Sequence, residues 1–175
     1  FSAVDCTGHG VPGAFMSMIG TTLIKDICLR SGIQKPSEML LTLDREVREA
    51  LNQNVETDGS NDGMDIIVAE VDMSNYKFVV SSAMRPLIIY SGDEQIYVKG
   101  NRNSVGGQLD DSQVEKEFTD QEFQLKKGDI IYMFSDGYPD QFGGPLGRKF
   151  KMVRLKNLLR DIHDKSMEEQ YNYIK

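Results

Sequence analysis

The sequence predicts an α+β fold built on antiparallel strands. Two helical segments come first along the chain, a run of short β segments follows, and helical segments return at the end. Consecutive strands joined by short turns pair as antiparallel hairpins, whereas a parallel sheet needs a helix between successive strands. With 175 residues, 39% of them hydrophobic, the chain is long enough for one domain with a sizeable core.

The first helix is predicted over 11–30. Pro12 suits its first turn, because the missing N–H would have no intrahelical partner there. The body of the segment is apolar most of the way round, so we expect this helix to be buried. The Ser-Gly pair at 31–32 is expected to end it, and a second, amphipathic helix begins at Pro36.

The middle of the chain is predicted to form a series of strands. The segment 65–71 is almost continuously apolar, which is typical of a strand buried on both faces. Glu169 stands three residues after Ser166, the spacing of a capping box at the start of the last helix. The other predicted elements are strands at 76–81, 87–90, 95–98 and 130–134, one strand within 113–125, and a helix at about 148–163.

Composition excludes several classes of protein. The net charge of −7, from 27 acidic and 20 basic residues, argues against a nucleic-acid partner or an anionic-membrane surface. No stretch reaches the roughly 18 uncharged apolar residues that a membrane span needs, and no signal-peptide pattern is found. Cys6 and Cys28 do not make a disulfide framework, so reduced thiols in a cytoplasmic compartment are the favoured interpretation.

Both ends of the chain suggest a piece of a longer protein. There is no initiator Met, residues 1–5 resemble the tail of a strand, and the chain closes inside an amphipathic segment without a stop signal. A small complete domain with frayed ends is the alternative. We therefore interpret residues 1–175 as a single domain fragment.

Two segments share one pattern, in which an apolar strand runs into an aspartate and a glycine turn. The first strand ends at Asp5, before the residues CTGHG, and the second ends at Asp136, before Gly137. Two such strands side by side would place two carboxylates at one point, where a divalent cation would relieve their repulsion. Oxygen ligands favour Mg²⁺ or Mn²⁺ over zinc. The alternative is that both aspartates only cap turns.

His9 lies between two glycines on the loop after Asp5. As a functional residue it would be a general acid, a phosphate contact or a metal ligand, and as a structural one it would be hydrogen-bonded in a turn. A zinc site built on Cys6 and His9 is disfavoured, because the other Cys and His of the chain lie far away in sequence.

Two polar loops also leave alternatives open. The acidic group of Asp58, Asp62 and Asp65 fits loop solvation or strand capping as well as metal binding. The segment 140–147 holds three glycines and a proline, so it is either a mobile flap beside the second acidic turn or an ordinary connection.

Taken together, these segments resemble the signatures of SpoIIE/RsbU-type bacterial phosphatases, a branch of the metal-dependent PPM serine/threonine phosphatases. Residues 5–12 (DCTGHGVP) are similar to the family pattern D-x-[ST]-G-H-G-x-[PA], and residues 134–137 (FSDG) to [YF]-[ST]-D-G. Residues 82–87 (SAMRPL) are similar to the family's strand motif G-A-[NG]-x-P-x. Residues 62–65 and 140–144 resemble variants attached to large sensor proteins. The similarity runs through nearly the whole chain in the family's order.

The resemblance implies a β-sandwich flanked by helix layers, α/β/β/α, with metal ions at one end of the sheets. It implies two Mn²⁺ or Mg²⁺ ions bridged by Asp5, with the backbone carbonyl of Cys6 and the carboxylate of Asp136 as further ligands. Water activated by the two ions would attack the phosphorus of phosphoserine or phosphothreonine directly. Asp5, Asp136 and His9 are therefore the candidate catalytic residues.

The resemblance also implies partners. The substrate would be a phosphorylated regulatory protein, in this family often an anti-sigma-factor antagonist, and an upstream sensor domain would drive the phosphatase. The family's first strands and its C-terminal acidic pair have no counterpart in residues 1–175, so open sheet edges would favour a homodimer. An inactive fragment of an active parent is one alternative, and a non-catalytic scaffold of the same fold that binds partner proteins is another.

Overall fold

Two stacked antiparallel sheets form the centre of the fold, and helices cover their outer faces. A computed structural model describes residues 1–30, 35–53, 61–107, 116–143, 145 and 147–175. In chain order the elements are β1 (Ser2–Cys6), α1 (Gly10–Leu29), α2 (Pro36–Ala50), β2 (Gly63–Asp72), β3 (Lys77–Ala83), β4 (Leu87–Ser91), β5 (Glu94–Val98), β6 (Val105–Gly106), β7 (Gln121–Gln124), β8 (Ile130–Met133), α3 (Gly137–Asp140), β9 (Phe142–Gly143), β10 (Arg148–Lys149), α4 (Met152–Ile162) and α5 (Met167–Ile174).

The strands pair as the α+β prediction requires. The larger sheet has the order β1-β2-β3-β7, with the short β6 also paired to β2. The second sheet has the order β5-β4-β8, and β9 pairs with β10 in a separate short hairpin. All of these strand pairs are antiparallel, so the predicted fold class is confirmed.

Alternation along the central strands builds the layers. In β2, Ile66 packs in a core beneath α1 and α2, whereas Ile67 packs in the core between the two sheets. In β4, Ile89 faces the same inter-sheet core, and Ile88 packs beside Leu155 of α4. Successive side chains of a strand point to opposite faces, so each central strand is buried twice. The order of layers is therefore α/β/β/α, and the prediction of a doubly buried strand at 65–71 is confirmed.

The prediction that the first helix is buried is wrong. Only Met16, Gly20 and Ile27 of α1 are buried, while Phe15 and Met18 are 57% and 59% exposed. An apolar helix can be covered only where another element packs on it, and among the described residues α1 packs mainly against α2 and β1. None of the described helices is both long and apolar enough to cross a membrane.

Several boundaries differ from the sequence prediction. The helix predicted at about 148–163 begins later than expected. Residues 148–149 form strand β10, and α4 begins only after Lys151, whose φ of 71° is incompatible with a helix. β6 was not expected, because two residues carry no periodicity. The capping box of Ser166 and Glu169 on α5 is confirmed. The 31–32 helix stop, Asp58, the start of 113–125 and part of 140–147 lie outside the described residues.

Candidate metal-binding site

Asp5 and Asp65 lie opposite each other at one end of the larger sheet. β1 and β2 are antiparallel, and their register sets Asp5 against Asp65. Side chains in that position share a face and lie close together, and like charges there destabilise the pair. Ile67, two residues along the same face of β2, packs between the sheets. Both carboxylates therefore stand at the mouth of the sandwich.

Asp136 reaches the same point from the second sheet. It follows β8, which ends at Met133, and occupies the N-cap position of α3. A side-chain hydrogen bond joins Asp136 to Asp5. The structure thus brings together the two aspartates that the sequence analysis singled out, one from each sheet.

Arg85 lies among these carboxylates. Its Nη2 donates to Oδ2 of Asp65 at 2.8 Å and to Oδ2 of Asp5 at 3.2 Å, and its Nη1 pairs with Oδ2 of Asp136 at 2.8 Å. The Arg85 side chain is 19% exposed. One guanidinium offsets only part of the repulsion among three acidic side chains, so the cluster stays negatively charged.

Arg85 contacts both sheets because it lies where the chain crosses between them, after β3 and before β4. Met84 takes a positive φ of 66° at this crossing, and its N–H donates to the carbonyl of Asn101 at 2.8 Å. Gly100 packs so closely that a Cβ there would lie 2.9 Å from the carbonyl oxygen of Arg85. The backbone of Arg85 is therefore fixed by its neighbours, independently of its side chain.

The surroundings shift the pKa values of the two predicted aspartates in opposite directions. Burial, the contact with Asp136 and its charge raise the pKa of Asp5, although the charge of Arg85 opposes this. Burial also acts to raise the pKa of Asp136, but hydrogen bonds from Arg85 and Asp5 and the charge of Arg85 outweigh it and lower that pKa. Asp136 therefore favours the charged form more than Asp5 does.

The loop after Asp5 is held tightly against the start of α1. Gly8 has a φ of 86°, which favours glycine, and a Cβ on Gly13 would lie 2.8 Å from the carbonyl oxygen of Gly8. Thr7 donates its hydroxyl hydrogen to Asp62 and accepts a hydrogen bond from the N–H of Gly63, both at 3.0 Å. These contacts fix the direction in which the chain leaves Asp5.

His9 and Cys6 flank a cavity beside Asp5. The cavity has a volume of about 420 Å³, and its lining includes Asp5, Cys6, His9 and Ser17. His9 is exposed at the N-cap position of α1 and makes no side-chain capping bond. Burial raises the pKa of the Cys6 thiol, against the effect of a hydrogen bond with Ser17. The carbonyl-ligand role of Cys6 and the acid role of His9 stay predictions.

Ser104 fixes Asp65 from the other side. Its hydroxyl donates to Oδ1 of Asp65 at 2.6 Å, which leaves Oδ2 for Arg85. Lys116 donates to the carbonyl of Ser104 at 2.9 Å and to Oδ1 of the buried Asp44 at 3.1 Å. Asp44 also accepts a hydrogen bond from the N–H of Gly106 at 2.9 Å. Helix α2 thereby anchors the loop that positions Asp65.

The donor chemistry of the cluster suits Mg²⁺ or Mn²⁺, which prefer carboxylate oxygens. Within the part of the chain that the structure describes, however, no group of three or more His, Cys, Asp or Glu side chains forms a ready cation site. The three carboxylates are arranged around the wider guanidinium of Arg85 instead. Asp5, Asp65 and Asp136 are the residues that could hold a divalent cation here.

Sequence reasoning missed the partners of the two aspartates. In the sequence Asp65 belongs to an acidic group that fits solvation or capping as well as metal binding, and the register with Asp5 places it beside the predicted site. Arg85 stood inside the quoted motif 82–87 without a role. A single basic residue at the turn between two apolar strands is the sequence feature that could have indicated a role for Arg85.

The fold is that of the PP2C-type phosphatase domains. The SiaA PP2C domain of Pseudomonas aeruginosa matches with a TM-score of 0.82 and 29% identity over 99% of this chain and 65% of its own. The SpoIIE phosphatase domain with a regulatory fragment, from Bacillus subtilis, matches with a TM-score of 0.69 and 20% identity over 99% of this chain and 46% of its own. The RsbU and RsbW domains of Rv1364c from Mycobacterium tuberculosis match with a TM-score of 0.66 and 20% identity over 99% of this chain and 44% of their own.

The chain belongs to the SpoIIE family. The family model of Stage II sporulation protein E matches residues 1–174, nearly the whole length. The chain spans less than two thirds of each of the three structures above. A comparison with curated protein sequences finds no match.

Proposed function

We propose that this chain forms part of a metal-dependent protein phosphatase that hydrolyses phosphoserine or phosphothreonine. The observation that carries the proposal is the meeting of Asp5 and Asp136, which come from different sheets and share both a hydrogen bond and a guanidinium. Membership of the SpoIIE family supports it. Two acidic groups held together in this way repel each other unless one is protonated or positive charge lies beside them, and a divalent cation would supply that charge.

In this proposal Asp5 and Asp136 hold Mn²⁺ or Mg²⁺, two ions in the intact domain, with the carbonyl of Cys6 as a further ligand. When bound, such ions lower the pKa of water and neutralise charge on a phosphoryl group. The half-buried position of Asp5 and the exposed one of Asp136 leave one side of the pair open to a substrate. His9, exposed beside the cavity next to Asp5, would contact the bound phosphoester or donate a proton.

The proposed substrate is a phosphorylated regulatory protein such as an anti-sigma-factor antagonist, and an upstream sensor domain would control the reaction. The SpoIIE family match supports a signalling role of this kind. Cys6 and Cys28 are both free thiols, which is consistent with a cytoplasmic protein.

Hydrolysis of a phosphoserine peptide tests the proposal. We expect the full-length protein to release inorganic phosphate in the presence of Mn²⁺. Phosphate release should stop when EDTA is added and resume when Mn²⁺ is restored in excess. The rate of phosphate release, measured with a colorimetric assay, gives the result. Turnover that continues at the same rate in EDTA would contradict the metal-dependent mechanism, and folded protein without turnover under any divalent cation would favour the scaffold function.

A further inference from the structure

The contacts of Arg85 point to a role in controlling the proposed metal site. We propose that Arg85 is a built-in competitor for the divalent cation: its guanidinium holds the three carboxylates together in the metal-free chain and releases them when metal binds. The proposal rests on the proposed metal-dependent function. It predicts that Arg85 sets the metal concentration at which the site fills.

Competition follows from which atoms Arg85 contacts. The guanidinium takes Oδ2 of Asp5, Asp65 and Asp136, and so engages both of the aspartates proposed as metal ligands. Charge-assisted hydrogen bonds of this kind are about twice as strong as neutral ones. A divalent cation between Asp5 and Asp136 would draw on the same two carboxylates, and a guanidinium that stayed in place would repel it.

The arrangement of the carboxylates around Arg85 agrees with competition. Within the described residues the acidic side chains form no ready metal site, although three of them contact one guanidinium. A guanidinium is planar and presents its donors over several ångströms, whereas a metal ion collects its ligands at about 2 Å from one point. Binding of metal therefore requires the carboxylates to turn toward one point as Arg85 leaves.

Arg85 is also only partly satisfied in this position. Its Nε is buried and makes no hydrogen bond to any of the residues that the structure describes. An unmet buried donor destabilises the arrangement, and most of all for a charged group. The side chain is 19% exposed and borders Asp136, which is 49% exposed, so a path to solvent exists. The fixed backbone at Met84 and Gly100 lets the side chain leave without moving the sheets.

Mn²⁺ binding tests the proposal directly. We would titrate Mn²⁺ into the full-length protein and its variants by isothermal titration calorimetry, with free Mn²⁺ measured separately by electron paramagnetic resonance. Arg85→Met keeps an unbranched stem of similar shape and removes the guanidinium and its charge. We expect it to bind Mn²⁺ at least about tenfold more tightly than the wild type, because one strong charge-assisted competitor is gone. Arg85→Lys keeps the positive charge but lacks the planar guanidinium that contacts several carboxylates at once. Its Mn²⁺ affinity should therefore lie between those of the wild type and Arg85→Met.

Arg160→Met is the matched control. Arg160 is exposed, pairs with its neighbour Asp161, and lies on α4, so its loss changes net charge equally without touching the site. We expect the Mn²⁺ affinity of this variant to stay within about twofold of the wild type, because exposed distant charges are screened. An equal gain in both Met variants would overturn the proposal, since net charge alone would then explain it.

A second readout separates competition from a structural role. Without metal, Arg85→Met should unfold at a lower temperature than the wild type, and saturating Mn²⁺ should raise its melting temperature by more than it raises that of the wild type. Unchanged or weaker Mn²⁺ binding by folded Arg85→Met and Arg85→Lys overturns the proposal while the phosphatase function stands. Absence of Mn²⁺ binding in the wild type and in both variants overturns the proposed function as well.

Discussion

Replacing Asp136 by asparagine is expected to lower Mn²⁺-dependent phosphatase activity by at least about 100-fold. Mutation of groups that merely support metal ligands costs 10–100-fold, and Asp136 is proposed as a ligand itself. Asparagine keeps the size of the side chain but removes the charge that pairs with Arg85 at 2.8 Å. Asp136 follows β8 at a half-exposed position, so the fold should persist. Phosphate release from a phosphoserine peptide, under saturating Mn²⁺, measures the effect.

Asp161→Asn is the matched control for this substitution. Asp161 is exposed on α4 and, within the described part of the chain, forms an ion pair with its neighbour Arg160 far from the acidic cluster, so the same chemical change should leave activity within about twofold. Circular dichroism on all three proteins checks that they are folded. Activity of folded Asp136→Asn equal to that of Asp161→Asn would show that Asp136 does not take part.

Phe78→Ala is expected to lower the free energy of unfolding by about 3–5 kcal/mol. Phe78 is 1% exposed in the core between the sheets, and its ring lies 6.2 Å from that of Phe123, centroid to centroid. Removing it leaves a cavity under strands β2 and β4, because close-packed neighbours relax only in part. Urea denaturation followed by circular dichroism measures the change.

Phe142→Ala provides the comparison within the same chain. Phe142 lies on β9 and is 74% exposed, so loss of its ring should change the free energy of unfolding by less than about 0.5 kcal/mol. Similar losses in both variants would mean that the sheets do not share the core described above.

Much of the fold could be predicted because local pattern and final burial agree in the central strands. Residues 66–69 of the apolar run are buried on both faces of β2, and the capping box of Ser166 and Glu169 caps α5. Helix α1 shows the limit of such reasoning, since its apolar composition indicates burial but cannot say which neighbours are present to cover it.

The site was predictable in part for a similar reason. Two strands that end in aspartate suggested that Asp5 and Asp136 meet, and the structure brings them together. The role of Arg85 depends on the crossing from β3 to β4 between the sheets, and that of Ser104 on a long-range contact with Asp65. The spacing of residues along the chain predicts neither role, so both could be found only from the three-dimensional structure.

Anomalous diffraction at the manganese edge, from crystals grown with Mn²⁺, tests the central claim most directly. The account predicts an anomalous peak within about 2.5 Å of carboxylate oxygens of both Asp5 and Asp136, with the Arg85 side chain withdrawn from them. Manganese bound elsewhere, or an Asp5–Arg85–Asp136 cluster that persists unchanged at saturating Mn²⁺, would contradict it.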